Sequence, residues 1–437
     1  MSSKQSLRLN ALAVPIGIEL LLHYFSLMLN TYMVTRYSNY LAGSLGAGNQ
    51  IFDLFITIFS FLSVGCSIVL AQALGARNTE LSRTVIAQSA LWTMILACIC
   101  AFGIVCFSDS LLTLLRTPTS QHYQANIYLQ LLGVCLIIEA LNLLLSAIVR
   151  VYNLAYFVMF SAIGMNGVTL LGNYLALSYT DLALFGVGLA TIAGRITLLI
   201  LLGIALLFWI RYKPSVQDFL VLHKQVLRSI LRIGGFSAGE NLLWIVQYTI
   251  ALSFVFSLGA AQASVQTIYF QISLFIMLAG QAISIGNEII IGKLVGARRF
   301  DIAYKHSFKA LRISLVASFI VVVSVFMARF MIMDILELVE ELRLVMLPLF
   351  SISLVLELGR TFNIVMVNAL RASGDARFPF LSGLVFMFGV SLPLGYVLCF
   401  YAGFGIVGIW IGFCADECLR GMINAWRWYS KRWQKLW

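Results

Sequence analysis

Glu240, Glu357, Asp416 and Glu417 lie within or at the start of long apolar runs, where a carboxylate must be neutralised or put to use. Glu357 and Arg360 are three residues apart, as are Glu417 and Arg420, and Asp416 and Arg420 are four apart. Each pair can therefore meet on its own helix. Four carboxylates against two arginines leave negative charge over, which a proton or a cation can meet; a purely structural ion-pair network is the plainer reading of the same residues. Arg360 and Arg420 would tune the acidic set. In the first apolar run Glu19 and His23 share a helix face at a spacing of four, and Glu19 is a further candidate for carrying a proton or cation. Asn30 and Asp53 follow near the ends of the first two runs, with Asp53 equally suited to a headgroup region. Asn166, Thr169 and Asn173 form one helical stripe able to line a polar groove or to bond helices together. Arg195 lacks a local partner and can reach Glu139 or Glu19. Glu288, near the end of its run, reads as solvated. Trp244 and Tyr248 are candidate aromatic contacts for a substrate cation. No metal-ligand cluster or Walker sequence is found, and the four His stand far apart. Transport on such a chain would draw on an ion gradient, with H+ or Na+ as the coupling ion and no other cofactor.

The elements that must hold these residues are membrane spans. Of 437 residues, 61% are apolar and 11% charged, with a mean hydropathy of +0.95; soluble domains carry about 25% charged residues. Twelve runs of about the length a crossing needs can be counted, at 10–34, 48–74, 84–107, 125–149, 154–178, 184–210, 234–258, 263–291, 312–335, 345–370, 379–401 and 406–426. The net charge of +11 is not a nucleic-acid signal. With the N-terminus inside, 22 of the 29 Lys and Arg fall in inner loops and tails, including Lys4, Arg8, Arg150 and Arg371, while Arg116 falls outside. That asymmetry places both termini in the cytoplasm. No cleavable signal is visible, and the eight Cys read as small apolar residues.

The spans come in two sets. Ser63-Val-Gly65 precedes Gly75-Ala76-Arg77 as Ser284-Ile-Gly286 precedes Gly296-Ala297-Arg298, an offset of 221 residues. Phe185-Gly-Val-Gly188 and Phe404-Gly-Ile-Val-Gly408 echo one another near the end of each half. A duplicated membrane chain is the usual frame of a transporter. The expected division is an N-terminal lobe, 1–210, an amphipathic linker on the inner leaflet, 211–233, and a C-terminal lobe, 234–437. The fold class is all-α, twelve helices in two pseudo-symmetric lobes.

Pro15, the Ser-Val-Gly…Gly-Ala turn at 63–76, its echo at 284–297 and Leu370-Arg-Ala-Ser-Gly-Asp-Ala-Arg-Phe-Pro379 resemble the multidrug and toxic compound extrusion (MATE) family over nearly the whole chain. Gly239-Glu240-Asn241 and Asp416-Glu417-x-x-Arg420-Gly421 resemble one bacterial branch. The resemblance implies a V of two lobes around a cavity, export of amphipathic or cationic compounds against protons or sodium, a monomer, and residence in a bacterial inner membrane. Many members carry acids where this chain has Asn30 and Asn173, which turns attention to Glu19 and the second-lobe carboxylates. A lipid-linked saccharide flippase of similar architecture is the alternative, although only Arg195, Arg360 and Arg420 fall inside spans. An intramembrane enzyme is less favoured, because one catalytic centre gives no reason for two like halves. Small molecules and membrane lipids are the expected partners, with no nucleic acid.

Overall fold

The computed structural model describes residues 9–115, 117–212, 218–219 and 223–437. Lys4, Arg8, Arg116 and residues 213–217 and 220–222 of the expected linker lie outside the described residues. The described chain is helical almost throughout. The first half holds α1 (Leu9–Tyr37), α2 (Asn39–Gly75), α3 (Thr79–Leu114), α4 (Thr119–Val151), α5 (Ala155–Tyr179) and α6 (Ala183–Ile204). The second holds α7 (Lys224–Ser257), α8 (Ala260–Gly296), α9 (Phe300–Met327), α10 (Glu340–Ala372), α11 (Arg377–Tyr401, passing through two π-helical turns) and α12 (Ile406–Tyr429). The first eleven are long and apolar enough to cross a membrane. The twelfth, α12, has the length for it but carries Asp416, Glu417 and Arg420.

The duplicated sequence builds duplicated turns. Helices α2 and α8 both end on Gly-Ala-Arg, with Arg77 (φ 57°) and Arg298 (φ 55°) in the left-handed conformation. The N–H groups of Asn78 and Arg299 then reach back to the carbonyls of Ala73 and Leu294 at 3.0 and 2.9 Å. These bonds satisfy the last helical carbonyls in the manner of a Schellman close.

The chain divides into two compact units, Ile18–Gly234 and Met1–Gly17 with Gly235–Trp437. Both α1 and α7 are thus divided between units, each near a glycine. Within the first unit the opening turns of α7 lie on α2, so closely that a Cβ on Gly65 would stand 2.5 Å from the Ile230 carbonyl oxygen. Within the other unit the opening turns of α1 lie on α8, where a Cβ on Gly286 would stand 3.3 Å from the Cβ of Leu12. The repeated Ser-x-Gly motif is therefore a seat for a helix in both halves. Lys224, Arg228 and Arg232 are exposed while Val226 and Ile230 are buried, so residues 224–232 of the amphipathic stretch form the opening turns of α7.

Each unit has its own core. Phe59, Ile104, Tyr128 and Leu132 centre the first. Tyr269, Phe350 and Trp410 centre the second, with the Tyr269 and Trp410 rings edge to face at 4.6 Å. The ninth span differs from the expected 312–335. Helix α9 ends at Met327, and a separate short helix, Arg329–Ile335, follows the break at Ala328.

Candidate functional site

The candidate acidic residues of the second half converge in one buried network. Helix α10 places Glu357 and Arg360 one turn apart, and the Arg360 Nη1 donates to Glu357 Oε1 at 3.0 Å. Ser273 of α8 donates to the same carboxylate oxygen at 2.5 Å and accepts from Arg360 at 2.7 Å. Arg360 Nε faces Glu417 Oε1 of α12 at 4.0 Å, and Asn363 donates to the other Glu417 oxygen at 2.8 Å. Arg420 then holds Glu417 at 3.0 Å and Asp416 through two bonds of 2.7 and 2.9 Å. Its Nη1 lies 3.9 Å from Glu240 of α7, whose other oxygen accepts from Arg371 at 2.6 Å. Glu357, Asp416 and Arg420 are almost completely buried. All three same-helix pairings anticipated from spacing are made.

Two corrections accompany this. Arg371, expected in an inner loop, lies in the last turn of α10 and enters the network. Glu288, read as solvated, is buried, because the end of α8 is packed on several sides. Four carboxylates therefore share three guanidiniums.

The first unit has a smaller polar set. Arg150 of α4 donates to Glu19 of α1 at 2.5 Å, so the partner of Glu19 is an arginine rather than His23. Arg195 finds Glu139 at 3.2 Å, and its backbone carbonyl accepts from Asn142 at 3.0 Å. Asn173 donates to Asn30 at 2.6 Å. Asn166 is half-buried, and Asp53 is exposed. Trp244 and Tyr248 stack at 5.5 Å, with Phe270 4.7 Å from the Tyr248 ring, and the Tyr248 hydroxyl accepts from Gln266 at 3.1 Å.

The offset of the repeat sorts these charges. Glu19 and Arg150 correspond to Glu240 and Arg371, 221 residues on, and both pairs are formed. This twin pair belongs to the duplicated architecture. Glu139 corresponds to Arg360, with the charge exchanged. Past Gly188 and Gly408 the offset is 220, so Asp416, Glu417 and Arg420 correspond to Ile196, Thr197 and Ile200; Glu357 corresponds to Leu136, and these four charges exist in one half alone. Arg150 and Arg371 escaped the sequence reading because each sits at a helix end beside a basic loop. The offset itself was the signal that finds them.

Comparison with known proteins agrees with the geometry. The MatE family model matches residues 15–175 and again 237–397, one match in each half. An uncharacterized transporter of Bacillus subtilis, YisQ, is 33% identical over 97% of this chain and 94% of its own. A probable multidrug resistance protein of the same organism, YoeA, is 23% identical over 90% of this chain and 87% of its own. Among solved structures, a MATE in the straight conformation superposes with a TM-score of 0.89 at 17% identity, covering 97% of this chain and 95% of that one. An outward-facing multidrug resistance MATE transporter gives 0.88 at 16%, covering 97% and 94%. Two matched halves, a twelve-helix fold and a relative of one-third identity together make this chain a member of the MATE family, a multi-pass membrane transporter and not an enzyme.

Proposed function

We propose that the protein is an antiporter that exports amphipathic or cationic organic compounds while protons or sodium ions run inward, and that the second-unit network couples the two movements. The observation that carries this is the set of charges with no counterpart in the other half. The duplicated scaffold needs the pairs Glu19–Arg150 and Glu240–Arg371 and is built around them. It does not need Glu357, Asp416, Glu417 and Arg420, which bring three acids and one base into a buried site. Burying such groups is costly unless each is paired, so their presence asks for a role.

The coupling follows from competition for the arginines. Glu357 and Glu417 share Arg360, while Glu417, Asp416 and Glu240 share Arg420. One arriving proton or cation satisfies the surplus carboxylate and frees a guanidinium to re-pair. Re-pairing shifts α12 against α10, because the ladder's rungs join those two helices. Trp244, Tyr248 and Phe270 form an aromatic face within the same unit, suited to flat or cationic organic groups. Relatives named as multidrug resistance and extrusion proteins support this substrate class. The inward bias of Lys and Arg supports residence in a bacterial plasma membrane with cytoplasmic termini. A monomer suffices for each step. A flippase is less well supported, since the buried arginines are already occupied by carboxylates.

Export of a fluorescent cation from cells tests the reading. Glu357→Gln and Glu417→Gln should each abolish efflux at normal protein level, whereas Glu19→Gln should retain a substantial part of it. Efflux by both second-unit variants at the wild-type rate would remove the network from the mechanism.

A further inference from the structure

We infer that the second unit carries a binding site for one anionic phospholipid, on the face formed by α9, α10 and α12. A groove of about 560 Å3 opens there between the three helices. Its floor is Gly359 and Cys418, which approach so closely that a Cβ on Gly359 would stand 2.4 Å from the Cys418 sulfur. Val316, Phe319, Val355 and Met422 stand around it, each more than half exposed. Only hydrocarbon suits this lining, and the groove runs along helices that span a membrane.

The occupant's polar end is fixed by what lies one turn further along. On α9 the residues Lys305, Lys309, Arg312, Val316 and Phe319 follow each other at spacings of four, three, four and three, so they share one face. That face is basic for two turns and then apolar where it enters the groove. Lys305, Lys309 and Arg312 are exposed, and no ion pair is formed by any of them among the described residues. On α12, Trp426 lies one turn beyond Met422 and is covered by the Arg432 guanidinium at 5.0 Å. The start of α9 and the end of α12 are at the same level, because Lys431 pairs with Asp301 at 3.4 Å and Trp433 packs on Phe300. A lipid with its chain in the groove therefore presents its phosphate to three free cations and an interfacial tryptophan. A zwitterionic headgroup fits less well, because its own cation would face the same basic stripe.

The test is native mass spectrometry of the full-length protein in detergent, titrated with phosphatidylglycerol or phosphatidylcholine of identical chains. Wild type should retain one phosphatidylglycerol in clear preference. Neutralising the stripe with Lys305→Gln, Lys309→Gln and Arg312→Gln together should weaken that retention on the order of a hundred-fold, about five-fold for each charge. Val316→Trp, which fills the groove from its rim, should weaken retention of both lipids. A diazirine on the lipid chain should cross-link to peptides of α9, α10 or α12. Equal retention of the two lipids by wild type, no effect of the triple variant, or cross-links confined to other helices would each overturn the assignment. So would loss of a dimer in Val316→Trp with lipid binding intact, which would make the groove a subunit interface. Should Val316→Trp fail to fold, the triple variant carries the test, because its side chains are exposed.

Discussion

Removing the arginine from each twin pair should cost unequal amounts of stability, although the pairs are related by the repeat. Truncating one partner of a buried ion pair costs about 3–5 kcal/mol, because the other charge is left unpaired. Arg150 and Glu19 are somewhat less buried than that limit, with side chains 21% and 18% exposed, so Arg150→Gln should lose about 2–3 kcal/mol. Arg371→Gln leaves Glu240 with a second cation, Arg420, at 3.9 Å. At an effective dielectric near 20 that attraction is worth about 4 kcal/mol gross. Asp416 and Glu417 already draw on the same guanidinium, so only part of it is available, and the expected loss is about 1–2 kcal/mol. Unfolding in detergent, followed by intrinsic tryptophan fluorescence across a denaturant titration, measures both. The double variant Glu19→Gln with Arg150→Gln should recover at least half of the single-variant loss, since no charge is then stranded. A loss in Arg371→Gln equal to or greater than that in Arg150→Gln would refute the reading of Arg420 as a second partner for Glu240.

Other outcomes follow from the same contacts. Gly65→Ala should destabilise by about 1–3 kcal/mol and more than Gly286→Ala, because the first Cβ meets a backbone carbonyl and the second a side chain at 3.3 Å; the same denaturant titration compares them. Ser273→Ala removes a hydroxyl that both donates to Glu357 and accepts from Arg360, so it should cost about 1–3 kcal/mol and slow gradient-driven transport, read as the initial rate of dye movement. Trp244→Ala should raise the apparent KM for an aromatic cation several-fold, with a smaller effect on a small aliphatic cation, in competition assays of dye efflux.

Much of this architecture was open to reading from residue order alone. Apolar runs marked the spans, and the Gly-Ala-Arg echo exposed the duplication because a turn that closes one helix closes its copy in the same way. The pairings Glu357–Arg360, Glu417–Arg420 and Asp416–Arg420 were legible since helix geometry fixes neighbours at three and four residues. What was not legible depends on contacts between distant helices. Arg150 and Arg371 each lie 131 residues from their carboxylates, and a position beside a basic loop made them look like topology signals. Glu288 looked solvated because its distance from a helix end says nothing about what covers that end. The seats at Gly65 and Gly286 were visible as a motif, but their purpose required knowing that α1 and α7 each begin against the other half's helices.

The proposed coupling places the link between an ion gradient and export in charges present in one half alone. Purified protein in proteoliposomes loaded with a fluorescent cationic dye tests it directly, with a pH gradient and a sodium gradient imposed separately. One of the gradients should drive the dye in wild type, Glu417→Gln should abolish this movement, and Glu19→Gln should leave much of it in place. Dye movement in Glu417→Gln at the wild-type rate, or its loss in Glu19→Gln alone, would contradict the account and return the coupling to the duplicated scaffold.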